Sequence, residues 1–233
     1  MPALYLIPTP LGESSFDRIF PEFNTKIVST LRYFIVEDIR TARRFLKKAN
    51  PDINIDELTF FELNKHTESS TIANFLQPIY SGHDIGILSE AGCPAIADPG
   101  ADVVAIAQQN NIDVVPLIGP SSILLSLMAS GFNGQNFAFA GYLPIQALER
   151  TKMLKKLEGR AYSENQTQIF IETPYRNMKM LEEIISTCQT STRLCIAADV
   201  TLESEFIKTK TVKEWKKELP DLSKRPCIFL IYK

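Results

Sequence analysis

Two adjacent acids, Glu37 and Asp38, end a β-rich apolar run and are followed by Arg40, Arg43, Arg44, Lys47 and Lys48. A carboxylate at a strand end can accept the proton of an attacking hydroxyl or orient that hydroxyl. At helical spacing Arg40, Arg43 or Arg44, and Lys47 share a face, which makes a short basic stripe suited to phosphate. The same residues also fit a solvated helix face with Asp38 as its cap.

The most informative segment is Ile87-Leu-Ser-Glu-Ala-Gly-Cys-Pro-Ala-Ile-Ala-Asp-Pro-Gly100. Here a buried strand empties into small residues and Pro94, and Asp98-Pro99 reads as a helix N-cap followed by Pro at the first helical position. Such a loop brings bare backbone N–H and C=O groups against a small ligand, with Glu90 and Asp98 available for its hydroxyl or ammonium groups. Neither G-x-G-x-x-G nor a P-loop lysine is present, which disfavours a dinucleotide or a nucleoside triphosphate. Two more strand exits share the design. Ile7-Pro-Thr-Pro-Leu-Gly12 fixes its exit angle with prolines. Pro116-Leu-Ile-Gly-Pro-Ser-Ser122 opens a helix whose free N–H groups suit a carboxylate or are simply capped. Phe170-Ile-Glu-Thr-Pro-Tyr-Arg176 and Lys224-Arg-Pro-Cys-Ile-Phe-Leu-Ile231 repeat the pattern later in the chain.

Short apolar runs that alternate with segments of helical period must position these loops, the pattern of an α/β fold with a mainly parallel sheet. Strands are predicted at 4–7, 33–36, 59–62, 85–89 and 113–116, with helices near 26–31, 41–49, 70–81, 101–110 and 121–130. A second series follows: strands at 137–140, 168–172 and 193–198, helices at 147–157 and 175–187, and a loop at 159–166. Runs 205–211 and 227–232 read as adjacent strands around a short helix at 212–219, giving a mixed sheet. The expected division is 1–118 and 119–233.

The chain has 233 residues, 45% of them hydrophobic, and a net charge of −2. That excludes collagen-like and disordered classes and a surface that is basic throughout, so any nucleic-acid grip must be local. Arg40 to Lys48 is its first candidate, and the run Arg150, Lys152, Lys155, Lys156 a second. Cys93, Cys188, Cys195 and Cys227 are scattered, with only His66 and His83 to complete a metal set, so no metal is expected and the thiols read as reduced. A basic leader and a long apolar run are both lacking, so the expected location is cytoplasmic, with no membrane partner. Hydrolase and metalloprotease signatures are absent.

In this order, Leu4-Tyr-Leu-Ile-Pro-Thr-Pro-Leu-Gly12, Glu37-Asp38 with Arg40 and Arg43-Arg44, Ser89-Glu-Ala-Gly-Cys-Pro94, Asp98-Pro-Gly100, Gly119-Pro-Ser121, Ala129-Ser-Gly131, Phe139-Ala-Gly-Tyr-Leu-Pro144 and Glu172-Thr-Pro-Tyr-Arg176 resemble the tetrapyrrole methylase superfamily of S-adenosylmethionine-dependent methyltransferases. Within it they are most similar to the ribosomal RNA small-subunit methyltransferase I group, which methylates a cytidine ribose 2′-hydroxyl.

The resemblance implies two α/β domains with the methyl donor in a cleft between them, and a homodimer that acts on small-subunit ribosomal RNA and not on DNA. It gives donor contacts to Pro8, Ser89, Glu90, Ala91, Gly92, Cys93, Pro94, Asp98, Ile118, Pro120, Ser121 and Ser122. Ile171, Glu172, Ala197, Pro226 and Cys227 join them from the second half. Glu37 and Asp38 would lie near the attacking hydroxyl as catalytic acids, with Arg40, Arg43, Arg44 and Lys47 on RNA phosphates. The chain departs from the group at Glu13 (usually Asn), Glu90 (Asp), Cys93 (Thr) and Tyr175 (His), and Ala198 and Leu202 replace basic residues. It also ends directly after the last strand, without the extension some members carry. Two other readings stay open: a C-methyltransferase acting on a corrin or porphyrin ring, and a catalytically silent donor-binding module.

Overall fold

In the computed structural model, which describes residues 1–63 and 67–233, the chain forms two units, Met1–Ser121 and Ser122–Lys233. His66, weighed above as a metal ligand, lies outside the described residues.

The first unit runs β1 (Ala3–Ile7), α1 (Phe16–Ile19), α2 (Glu22–Thr30), β2 (Tyr33–Val36), α3 (Ile39–Ala49), β3 (Thr59–Glu62), α4 (Ser69–Phe75), α5 (Gln77–Tyr80), β4 (Ile85–Leu88), α6 (Gly100–Gln109) and β5 (Asp113–Pro116). All five strands are parallel, in the order β3-β2-β4-β1-β5. β4 reads Ile-Gly-Ile-Leu and is buried throughout, as a strand covered on both faces must be. Strand alternation splits the core. Leu4, Ile35, Ile85 and Ile87 pack with Ile72, Phe75 and Val103 on one face. Ile7, Phe34, Val36 and Leu88 pack with Val28, Ala42 and Leu46 of α2 and α3 on the other. All strand carboxyl ends therefore open at one edge, where open α/β sheets bind ligands.

The second unit runs α7 (Ser122–Ser130), β6 (Phe137–Tyr142), α8 (Ala147–Ser163), β7 (Thr167–Glu172), α9 (Asn177–Thr187), β8 (Arg193–Ala198), β9 (Phe206–Thr211), α10 (Val212–Trp215) and β10 (Cys227–Tyr232). Its sheet order is β6-β7-β10-β8-β9, with β6 and β7 parallel and the other pairs antiparallel. Phe170 and Phe229 stack at 5.7 Å, and the Trp215 indole donates to Leu194 O at 2.9 Å.

Several expectations need correction. β9 and β10 are not neighbours, because β10 inserts between β7 and β8 and the sheet is mixed in another order. The loop expected at 159–166 is mostly helix: α8 continues to Ser163, since buried Leu157 and Ala161 carry its apolar face past Gly159. The helix read at 70–81 is two, α4 and α5, with Pro78 in the first turn of the second. α2 begins at Glu22 rather than 26, and the turn α1 has too little period to be seen in sequence. α6 starts at Gly100, so Pro99 is its cap residue and Asp98 stands one position further out.

Among the described residues no helix is long and apolar enough to cross a membrane, and no three metal-ligating side chains gather.

Candidate functional site

The exits of β1, β4 and β5 are laced together at the carboxyl edge of the first sheet. Thr9 N donates to Gly92 O at 2.9 Å and Gly92 N donates back to Thr9 O at 3.1 Å. Thr9 Oγ1 donates to Ser89 O at 3.1 Å, and Ser89 Oγ closes its own loop on Gly92 O at 2.9 Å. The β5 exit is tied by Asn24 Nδ2 to Ile118 O at 2.7 Å, and Cys93 Sγ lies 3.5 Å from Pro120 O. Gly119 presses on buried Pro8: a Cβ there would fall 2.1 Å from Pro8 Cγ. No side chain fits between these two loops, so glycine is required at this approach.

Pro8, Ser89, Gly92, Cys93, Pro94, Asp98, Ile118 and Pro120 are thus all fixed in or beside this laced region, with Glu90 and Ala91 exposed at the tip of the β4 loop. Asp98 Oδ1 accepts from Ala95 N at 2.9 Å and Gly100 N at 2.8 Å. Burial pushes its carboxyl above the ordinary value, against the pull of those two hydrogen bonds. Ala95 and Ala97 hold φ of 66° and 63°, costly for residues with a Cβ and a mark of a loop held in a defined shape. Burial likewise raises the Cys93 thiol.

Glu37, directly after β2, shares with Val36, Leu88 and Asp98 the lining of a void of about 10 Å³, room for about one water. Its neighbour Asp38 is the N-cap of α3. Oδ1 accepts from Thr41 N at 2.8 Å, and the cap bonds hold this carboxyl below its ordinary value. A carboxylate stabilised in that way is a weaker base, and this one also caps α3, whereas Glu37 stands beside the void.

The basic residues divide between two directions. Arg40, Arg43, Arg44 and Lys47 lie along α3, with Arg40, Arg43 and Arg44 directed away from the core. The Arg43 guanidinium lies 5.6 Å from the centre of the Phe60 ring, and Lys47 Nζ donates to Pro51 O at 3.1 Å. Arg44 instead joins Lys48, Glu13, Thr41 and Glu90 around a cavity of about 280 Å³. Glu90 is turned to that side, its Oε1 accepting from Thr41 Oγ1 at 2.7 Å.

In the second unit the remaining predicted residues meet at one sheet end, since Cys227 pairs with both Glu172 and Ala198, and Ile228 with Ile171 and Ala197. Glu172 is buried there and accepts from Arg176 Nη2 at 2.5 Å and Thr173 N at 2.6 Å. Burial raises the Cys227 thiol to about 12. Asp199, at φ 50°, binds Arg225 Nε at 2.7 Å through its carboxylate, and its N–H donates to Pro226 O at 3.0 Å. Ser122 opens α7. Of the second basic run, Lys152, Lys155 and Lys156 are exposed on α8, whereas Arg150 is withdrawn from any grip on phosphate. Arg150 is buried, paired with Glu183, and donates to Pro144 O at 3.0 Å and Ile145 O at 2.6 Å.

No protein-family model matches the chain. The ribosomal RNA small subunit methyltransferase I of Buchnera aphidicola subsp. Schizaphis graminum is 31% identical to it over 221 residues, which cover 92% of this chain and 72% of the relative. The chain belongs to the ribosomal RNA small subunit methyltransferase I family. The family proteins of Vibrio cholerae O1 and Escherichia coli O157:H7 are each 28% identical, over 99% and 98% of this chain and 77% of their own lengths. The fold agrees with solved methyltransferases at 14% identity. CobJ gives a TM-score of 0.66 over 100% of this chain and 95% of its own. Cobalt precorrin-4 methyltransferase CbiF gives 0.61 over 99% and 94%. The chain therefore shares its two-sheet α/β fold with these methyltransferases, and its methyltransferase class follows from the family.

Thr9, Asn24 and Gly119 hold the loops together, yet their residue types do not announce that role in the sequence. A glycine between Ile118 and Pro120, directly after a strand, is the one available signal.

Proposed function

We propose that the chain transfers a methyl group from S-adenosylmethionine to the ribose 2′-hydroxyl of a cytidine in small-subunit ribosomal RNA. The observation that carries this reading is the set of three laced strand exits beside Glu37 and the basic helix α3, in a chain of this family. The residues fit the donor. Loop 89–98 offers backbone groups, the Ser89 hydroxyl and the Asp98 carboxyl for an amino-acid end and a ribose, with no phosphate cradle.

S-adenosylmethionine brings a methyl already activated on a sulfonium, so the chain's own task is alignment in a site shielded from water. The loops of β1, β4 and β5 hold the donor. Glu37 accepts the proton of the acceptor hydroxyl. Arg40, Arg43, Arg44 and Lys47 take RNA phosphates and set its register. The family resemblance also assigns donor contacts to Ser122, Ile171, Glu172, Ala197, Pro226 and Cys227. The protein is taken to act in the cytoplasm as a homodimer.

Labelled donor with small ribosomal subunits from a strain lacking the gene, followed by mapping of the label, tests the reading. Methylation of one cytidine ribose is expected, and unlabelled subunits would overturn it. Glu37→Gln should then slow single-turnover transfer with donor affinity unchanged.

A further inference from the structure

The cavity of about 280 Å³ at the carboxyl ends of β1, β2 and β4 has a graded lining. Its deep part is apolar, made of the buried Val36, Ala42 and Leu88. Phe16 and Phe45 form a wall with ring centres 5.6 Å apart. At the exposed mouth stand two carboxylates, Glu13 and Glu90, and two cations, Arg44 and Lys48. Two of these four are held in place: Glu90 accepts from Thr41 Oγ1 at 2.7 Å, and Lys48 Nζ donates to Ser14 O at 3.2 Å while lying 5.2 Å from the Phe16 ring centre.

Resting on the function proposed above, we infer that this cavity receives the acceptor base, a cytosine turned out of its strand, and that Glu90 reads its exocyclic amine. A pocket with aromatic walls is where an enzyme holds a nucleotide whose base has left the stack, and holding the base fixes the position of its ribose. Carboxylates accept from the N4 amine of cytosine, whereas the O4 of uracil offers only lone pairs, which a carboxylate repels. Arg44 and Lys48 at the mouth meet the phosphates that flank the extruded nucleotide. The volume lies just below the roughly 300–1,000 Å³ of ordinary ligand pockets, which suits one nucleoside and is too small for a four-ring macrocycle. Paired carboxylates at the mouth would also repel the acidic side chains of such a ring. Glu90 thereby moves from the donor set to specificity for the acceptor.

The test uses the full chain with S-adenosylhomocysteine bound and short single-stranded oligoribonucleotides that carry one cytidine or one uridine at the same position. The wild type should prefer cytidine roughly 10- to 100-fold. Glu90→Gln, whose amide can donate to O4 as well as accept from N4, should reduce that preference to within about threefold, with melting temperature and S-adenosylhomocysteine affinity unchanged. Thr41→Val, which frees the carboxylate, should reduce it in part. Equal binding of both oligonucleotides by the wild type, a preference that survives Glu90→Gln, or loss of S-adenosylhomocysteine binding in that variant would each overturn the inference. Methyl transfer to ribosomal subunits separates the two claims. Subunits that stay unmethylated by the wild type refute the proposed function, whereas methylation with a cytidine preference indifferent to Glu90 refutes the base reading alone.

Discussion

Replacing Gly119 by Ala tests the lacing of the strand exits directly. The new Cβ would lie 2.1 Å from Pro8 Cγ and 2.3 Å from Pro8 Cβ. Ordinary carbon–carbon contact needs about 3.5 Å, so the two loops must separate by about 1.4 Å. Neither side yields easily. Pro8 is buried, its ring cannot rotate away, and it follows Ile7, which is paired with Leu88. Gly119 sits between Ile118, whose carbonyl accepts from Asn24, and Pro120, whose carbonyl is met by Cys93. Overpacking of this kind costs about 1–3 kcal/mol. That lowers the melting temperature by about 2–12 °C for a chain of this size. If the strain is relieved within the proposed donor loops, S-adenosylhomocysteine affinity falls about tenfold for each 1.4 kcal/mol. Two controls frame the result. Gly134→Ala meets nothing within 4 Å and should behave as wild type. Gly86→Ala meets Ile7 Cδ1 at 2.6 Å, the movable end of a side chain, and should lose some stability while keeping donor affinity. Calorimetry and titration of the three variants decide the matter. A Gly119→Ala protein that melts and binds like Gly134→Ala would refute the close approach and the reasoning built on it.

Other outcomes follow from the same geometry. Glu183→Gln should cost about 1.5–3 kcal/mol, because it leaves Arg150, 3% exposed, facing a neutral amide in place of the half-buried Glu183 carboxylate. The Arg150 hydrogen bond holds the Glu183 carboxyl below its ordinary 4.5, so the stabilisation is fully present above that pH and is lost as pH falls through the folded value. Below pH 4.5 the melting temperature of wild type should therefore fall more steeply than that of Glu183→Gln, and parallel acid profiles would refute the pairing. Asp98 has the opposite sign: its carboxyl is raised above 3.8, so its contribution is present below that pH and is lost as pH rises through the folded value. Asp98→Asn keeps an acceptor for Ala95 and Gly100 without the charge and should melt no lower than wild type at neutral pH, whereas Asp98→Ala should melt lower. Changing Arg40, Arg43, Arg44 and Lys47 together to Ala should make the dependence of log K for RNA on log salt shallower, by about 0.7 for each phosphate no longer neutralised, with donor affinity intact. An unchanged slope would remove α3 from the RNA surface.

Local chemistry makes much of this protein legible. The parallel strands of the first unit have continuous or alternating apolar runs, so all five can be placed to within a residue or so of their ends. The proline-rich strand exits mark the candidate site because no ordinary turn needs so many small and acidic residues after a buried strand. What sequence leaves undecided depends on contacts between distant segments. The insertion of β10 between β7 and β8, where Phe229 stacks on Phe170, is announced by neither strand alone. The burial of Arg150 requires Glu183, 33 positions away, and takes one residue of an apparent basic patch into an ion pair. That Asp38 caps α3 is shown only by its hydrogen bond from the Thr41 amide. Glu90 likewise belongs to the β4 loop in sequence, and its hydrogen bond to Thr41 of α3 turns it to the cavity. Residue type and period fix what a segment can bury or bind, whereas the partner of each charge and the order of strands are fixed by tertiary packing, because only folding brings groups from separate segments within reach.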